Sequence, residues 1–130
     1  MNNQYKLHQA HNQYQSLALS SRLEATGPHG LVAVLYEELL RSLDIMGAAI
    51  KRGKELARES HSERARSILT ALEGSLDFDR GQGVAEVFGG VYRAMQIQLR
   101  KLIAENDARM LSELRDGVAE IADSWNKIVK

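Results

Sequence analysis

The chain has 130 residues, a length that suits one domain with a single core. It has no cysteine, which excludes disulfides and thiolate metal sites and favours a reducing compartment. Lys and Arg together number 17, as do Asp and Glu, so no net charge favours nucleic acid or an anionic membrane as partner. No apolar run reaches the roughly 20 residues of a bilayer span and the polar start predicts no signal peptide, so we expect a soluble, cytoplasmic protein without membrane insertion.

The N-terminal segment carries one weak apolar stripe. Its residues recur at spacings of 3, 4 and 3, which is typical of one face of a short helix: Leu7, Ala10, Tyr14 and Leu17. Such a helix is marginal alone and needs a surface to rest on. We therefore predict a lid segment with a connector over residues 1–27, and a single helical domain over residues 28–130.

The longest amphipathic stretch is predicted to run from Pro28 to Gly53. Pro28 suits a first helical turn, where its missing N–H would be unpaired anyway. Most apolar side chains fall in one sector wide enough for two neighbouring helices, with three on its shoulders: Val34, Leu40 and Ile45. The charged stretch over residues 51–59 is expected to be a frayed helix end or a solvated loop.

Three more amphipathic helices follow. Ser60 and Glu63 have the spacing of a capping box, and that helix is predicted to end near Asp77. Two glycines mark a break over residues 77–83, and a third helix is predicted over residues 84–104. Asn106 or Asp107 can cap a fourth, whose stripe includes a Trp125 expected to be buried. The predicted fold is an all-α, antiparallel four-helix bundle with a short extra N-terminal helix.

The residues of a catalytic or metal site are missing from these helices. No Glu stands three residues before a His, as in di-iron bundles, and the sequence near Asp77 lacks the closing ligands of a calcium loop. No nucleophile motif surrounds a serine, and Glu37 and Glu38 point about 100° apart. We expect no enzyme, no cofactor and no metal.

The third helix carries a second apolar stripe outside its main one. Its members again recur at 3, 4 and 3: Val87, Gly90, Ala94 and Ile97. The stripe is either a contact with a neighbouring bundle helix, a scatter of small surface residues, or a groove for an amphipathic partner helix. In the last case the N-terminal segment is expected to act as a movable lid over the groove, with Tyr14 as its anchor.

Several motifs together resemble the flagellin export chaperones, the FliS family. Residues 28–37, PHGLVAVLYE, resemble that family's P-x-x-L-(I/V)-x-x-L-Y-(D/E) opening. Residues 75–83, SLDFDRGQG, look like its S-L-D-x-x-x-G-G turn, and residues 91–95, VYRAM, are similar to its L-Y-x-Y-M helix. Gly27 stands where the family commonly has Ser or Asn, which is a departure at the helix cap.

The resemblance implies an antiparallel bundle that binds the disordered C-terminal segment of flagellin. It also implies that the chaperone prevents premature polymerisation and assists delivery to the flagellar export gate, without ATP or metal. A self-associating structural or regulatory bundle remains the alternative, because the same exposed stripes would serve for self-association.

Overall fold

The chain folds into helices alone over the part that the structure describes. In the computed structural model this part comprises the backbone of residues 20–76 and 82–128, with side chains for 30–76 and 86–127. The elements are α1 (Ser20–Lys51), a short 3-10 helix (Leu56–Arg58), α2 (Ser60–Gly74), α3 (Gln82–Glu105) and α4 (Ala108–Ile128). No strand occurs within these ranges, so the predicted all-α class is confirmed. The predicted N-terminal helix lies outside them.

The four helices pack side by side as an antiparallel bundle. α1 contacts α2 and α4, and α3 contacts the same two helices, so α1 and α3 lie on one diagonal. Asp44 of α1 pairs with Arg115 of α4 at 3.0 Å, whereas a Cβ on Gly47 would lie 4.0 Å from Leu111. Residue numbers therefore rise in opposite directions along these two neighbours, as predicted.

The core is one contiguous apolar cluster with contributions from every helix. α1 supplies more than any other element, and Leu35, Leu39, Leu43 and Met46 are at most 1% exposed. Val34 also belongs to this cluster at 4% exposed, although its angular position had placed it on a shoulder. The buried sector of α1 is accordingly wider than the sequence pattern indicated.

The first helix begins earlier than predicted. α1 starts at Ser20, so the expected connector over residues 22–27 is helical and Pro28 lies inside the helix rather than in its first turn. A proline in a helix interior loses one backbone hydrogen bond and costs about 3 kcal/mol relative to alanine. Arg22, Leu23, Glu24 and Ala25 are all good helix formers, which favours continuation of the helix on the N-terminal side of the proline.

The charged stretch after α1 is neither frayed nor simply solvated. Gly53 adopts a left-handed φ of 77°, and the N–H of Lys54 donates to the carbonyl of Ala49 at 3.0 Å, which closes α1 with a Schellman motif. The chain then turns inward, because Leu56 is fully buried. One leucine in a run of charges thus anchors the connector in the core.

A single asparagine joins this connector to the one between α3 and α4. Asn106 accepts a hydrogen bond from the N–H of Leu56 at 2.7 Å and donates one to the carbonyl of Lys54 at 3.3 Å. Its own backbone is left-handed, with φ of 54°, which asparagine tolerates better than most residues. We call this arrangement the Asn106 clamp. It fixes one end of the bundle.

The helix caps follow the prediction at one site and depart from it at another. Asp107 caps α4, because its Oδ1 accepts from the N–H of Met110 at 2.9 Å. The predicted capping box at Ser60 is wrong: Glu59 is the N-cap residue of α2 and makes no side-chain cap bond. Ser62 instead donates to the carbonyl of Leu56 at 2.7 Å. The 3-10 turn just before α2 places Ser60 inside the helix and makes this bond available.

Candidate functional site

The predicted second stripe of α3 lies on the outside of the bundle. We call Val87, Gly90, Ala94 and Ile97 the α3 flank. Val87 is 65% exposed and Ile97 is 60% exposed, and they are the large apolar side chains that stand out as exposed in the described part of the chain. Ala94 is also exposed, and a Cβ added to Gly90 would meet nothing within 4 Å. The flank is therefore an open surface rather than a contact between bundle helices.

An apolar groove lies beside the flank, between α3 and α4. It encloses about 460 Å³, and we call it the α3–α4 groove; its lining residues are Phe88, Met95, Gly117, Glu120, Ile121, Ser124 and Trp125. Val91 is half-buried and, at 100° per residue, lies between the flank and the groove on α3. Flank and groove thus form one continuous, mostly apolar surface.

Trp125 belongs to this surface and not to the interior of the core. The prediction of a largely buried tryptophan holds, although burial is incomplete: the side chain packs against the core and also lines the groove. It occupies the core-facing stripe of α4 but lies near the helix end. A large ring there packs against the core with one part and borders the groove with the other.

A buried pair of hydroxyl groups lies behind the groove. Tyr36 of α1 and Tyr92 of α3 are each 3% exposed, and their hydroxyl oxygens are 2.6 Å apart across the bundle diagonal. Burial raises the pKa of Tyr36 above its ordinary value of 10.0, while the hydrogen bond to Tyr92 opposes that shift. The ring of Tyr92 lies 6.1 Å from that of Phe88, so the pair also supports one wall of the groove.

The structure describes four of the eight predicted site residues. The four of the α3 flank lie together on one exposed face, while Leu7, Ala10, Tyr14 and Leu17 lie outside the described residues. The sequence analysis missed the groove residues on α4. A glycine in the interior of α4 at position 117, one turn before Ile121, is the signal that would have indicated an open seam there.

The described residues contain no arrangement suited to metal chemistry. Among the described side chains, those of residues 30–76 and 86–127, no three His, Cys, Asp or Glu are grouped so that they could hold a metal ion. Across the same ranges, no helix has both the length and the apolar character required to cross a bilayer. The flank and the groove present mainly apolar side chains, with the acidic Glu120 in the groove lining.

Comparison with known proteins gives consistent matches over most of the chain. The family model described as Flagellar protein FliS matches residues 10–130. The Flagellar secretion chaperone FliS of Vibrio cholerae serotype O1 is 25% identical over 115 residues, which cover 88% of this chain and 85% of that protein. The Flagellar secretion chaperone FliSB of Pseudomonas aeruginosa is 25% identical over 119 residues, covering 92% and 94%. The Flagellar secretion chaperone FliS of Campylobacter jejuni is 28% identical over 102 residues, covering 78% and 79%.

Proposed function

Because the chain belongs to the flagellar protein FliS family, we propose that it is a cytoplasmic flagellar secretion chaperone that binds the disordered C-terminal segment of flagellin. In this role it prevents premature polymerisation of flagellin and assists its delivery to the flagellar export apparatus. Components of the export gate are then a second class of partner. Binding alone performs this task, so the proposed function requires no catalytic residue and no cofactor.

The exposed apolar surface of α3 is the observation that supports this function best. Val87 and Ile97 lie ten residues apart on one helix and are both more than half exposed. Ala94 and Gly90 between them are small, which allows a second helix to approach closely. A surface of this form fits the apolar face of an amphipathic helix, as in other helix-in-groove complexes.

The chemistry of the client explains why such a surface is useful. A segment that becomes helical only on assembly carries apolar side chains that are a hazard while they are exposed. Covering them against the α3 flank and the α3–α4 groove removes that hazard. The client must order itself on binding, which reduces its net affinity and helps it to be released.

The test is binding of a peptide with the C-terminal sequence of the same bacterium's flagellin. Ala94→Glu places a charge against the client's apolar face, and we expect a loss of at least about tenfold in affinity, or about 1.4 kcal/mol. The matched control is Ala48→Glu, because Ala48 is an exposed alanine on the outer face of α1, across the bundle diagonal from α3. Isothermal titration calorimetry measures both, with far-UV circular dichroism as the check on folding.

These experiments test separately whether the chain binds flagellin and whether the client lies on the α3 flank. No binding of the peptide by the wild-type chain, with persistent oligomers in light scattering that ignore the peptide, would contradict the chaperone and favour a self-associating bundle. Equal losses for the two glutamate variants would contradict the placement of the client on the α3 flank.

A further inference from the structure

A small polar cleft lies between α2 and α3, on the other border of the α3 flank. It encloses about 90 Å³, room for a group the size of a carboxylate, and its lining residues are Arg66, Thr70, Gln96, Leu99 and Arg100. Leu99 is fully buried and forms an apolar floor, which strengthens any charge interaction above it. We call this the arginine cleft.

The donors of the arginine cleft are only partly used. Arg66 contacts Glu63 through one nitrogen at 3.7 Å, and both side chains are at least half exposed, so this ion pair is weak. Among the described residues, no carboxylate lies within 4.0 Å of Arg100. Gln96 donates one amide hydrogen to Glu73 at 3.2 Å, which leaves a second.

The nearby acidic side chain is already engaged. Glu73 accepts from Gln96 and also from Arg93, whose Nη1 lies 3.4 Å from its second oxygen. Arg66 and Arg100 therefore line one cleft whose lining, in the described part of the chain, includes no carboxylate. Two like charges that line one cleft repel, and an anion bound in the cleft relieves the repulsion.

The position of the cleft indicates where that anion comes from. Arg100 follows Ile97 by three residues, so the two lie about 60° apart around α3 and about 4.5 Å apart along it. A helix packed on the α3 flank would cover Ile97 and place its own polar border over the cleft. A side chain on that border is then within reach of Arg100.

Building on the proposed function, we propose that the arginine cleft binds an Asp or Glu side chain of the client helix on the α3 flank. The carboxylate accepts hydrogen bonds from Arg100 and Arg66, and from the second amide hydrogen of Gln96. The apolar flank contributes to affinity but does not determine the position of the client helix along α3. The cleft selects the helix register that places an acidic residue beside Ile97, and so it acts as the specificity determinant.

Charge reversal at the cleft is the first part of the test. Arg100→Glu should weaken binding of the flagellin C-terminal peptide by about twofold to fivefold, the range for an exposed ion pair. Arg41→Glu is the matched control, because Arg41 is an exposed arginine on the outer face of α1 and its reversal changes the net charge equally. We expect Arg41→Glu to bind as the wild type does.

Charge exchange is the second part. Peptides in which each acidic residue is replaced in turn by Lys are titrated against the wild type and Arg100→Glu. One Lys-substituted peptide should bind the wild-type protein more weakly than the unsubstituted peptide does, and should recover its affinity when the protein carries Arg100→Glu. If Arg100→Glu binds as Arg41→Glu does, or if no peptide recovers its affinity, the proposal is overturned.

Two further results have distinct meanings. An effect of phosphate on Arg100 resonances, without any effect of Arg100→Glu on the peptide, would assign the cleft to a small anion and overturn the proposal. If the wild type does not bind the peptide at all, the proposed function itself fails. Retained binding that Ala94→Glu disrupts, without an effect of Arg100→Glu, contradicts the cleft alone.

Discussion

Substitution of Asn106 tests how the bundle end is held. Asn106→Ala removes the side-chain oxygen that accepts the hydrogen bond from the Leu56 N–H at 2.7 Å. It also places alanine at a left-handed φ of 54°, which asparagine tolerates better. A partly buried donor left unpaired costs about 1–3 kcal/mol, and the left-handed backbone adds about 1 kcal/mol for alanine. We expect a total loss of about 2–4 kcal/mol in the free energy of unfolding.

Asn106→Gly separates the two contributions. Glycine adopts the left-handed backbone without a steric penalty but makes neither side-chain hydrogen bond. We therefore expect it to be destabilised by about 1 kcal/mol less than Asn106→Ala. Urea unfolding followed by far-UV circular dichroism measures both variants.

The control is Asn126→Ala, since Asn126 is an exposed asparagine on α4. A surface substitution of this kind should change the stability by no more than about 0.5 kcal/mol. If Asn106→Ala lies within the same range, the clamp does not hold the connector. If Asn106→Gly is less stable than Asn106→Ala, the strain attributed to the left-handed backbone is refuted.

Three other predictions concern the core and the N-terminal segment. Ser42 is 1% exposed and its hydroxyl has no partner among the described residues, so Ser42→Ala should raise the free energy of unfolding by up to about 1 kcal/mol; a loss in urea unfolding would show a hidden hydrogen bond. Because the pKa of Tyr36 is raised, the folded state keeps a proton that the unfolded state releases near pH 10.0. The contribution of Tyr36 to the free energy of unfolding is therefore complete below that pH and declines above it. The decline in stability should be shallower in Tyr36→Phe, and equal slopes in alkaline unfolding experiments would contradict this origin. Deletion of residues 1–19 should leave a folded bundle that is less soluble and binds the flagellin peptide differently, if these residues cover the client surface. Unchanged solubility, affinity and hydrogen exchange over residues 87–97 would exclude the lid.

The sequence predicts those features that depend on local periodicity. The helices around the core stripes, the cap at Asp107 and the existence of a second apolar stripe on α3 all follow from a pattern within one helix. Such patterns indicate which face of a helix is apolar. They do not tell which neighbour covers it, so the groove between α3 and α4 was not foreseen.

The connector after α1 differs from its prediction because of a contact between distant segments. Leu56 looks like a lone leucine among charges, and only Asn106, fifty positions later, shows why it turns inward. The start of α1 was misplaced for a different reason. Pro28 indicates a helix start, whereas the helix formers before it extend α1 to Ser20.

The buried leucine of the first connector also limits where the chain can be lengthened. A charged segment with a glycine would ordinarily be chosen for a tag or for new chain termini, because exposed polar loops tolerate insertion. Here an insertion between Gly53 and Glu59 would displace Leu56 from the core and separate its N–H from Asn106. Reporter groups are therefore better placed on an exposed helix position away from α3, such as Ala48, and the length of this connector is constrained by the bundle it closes.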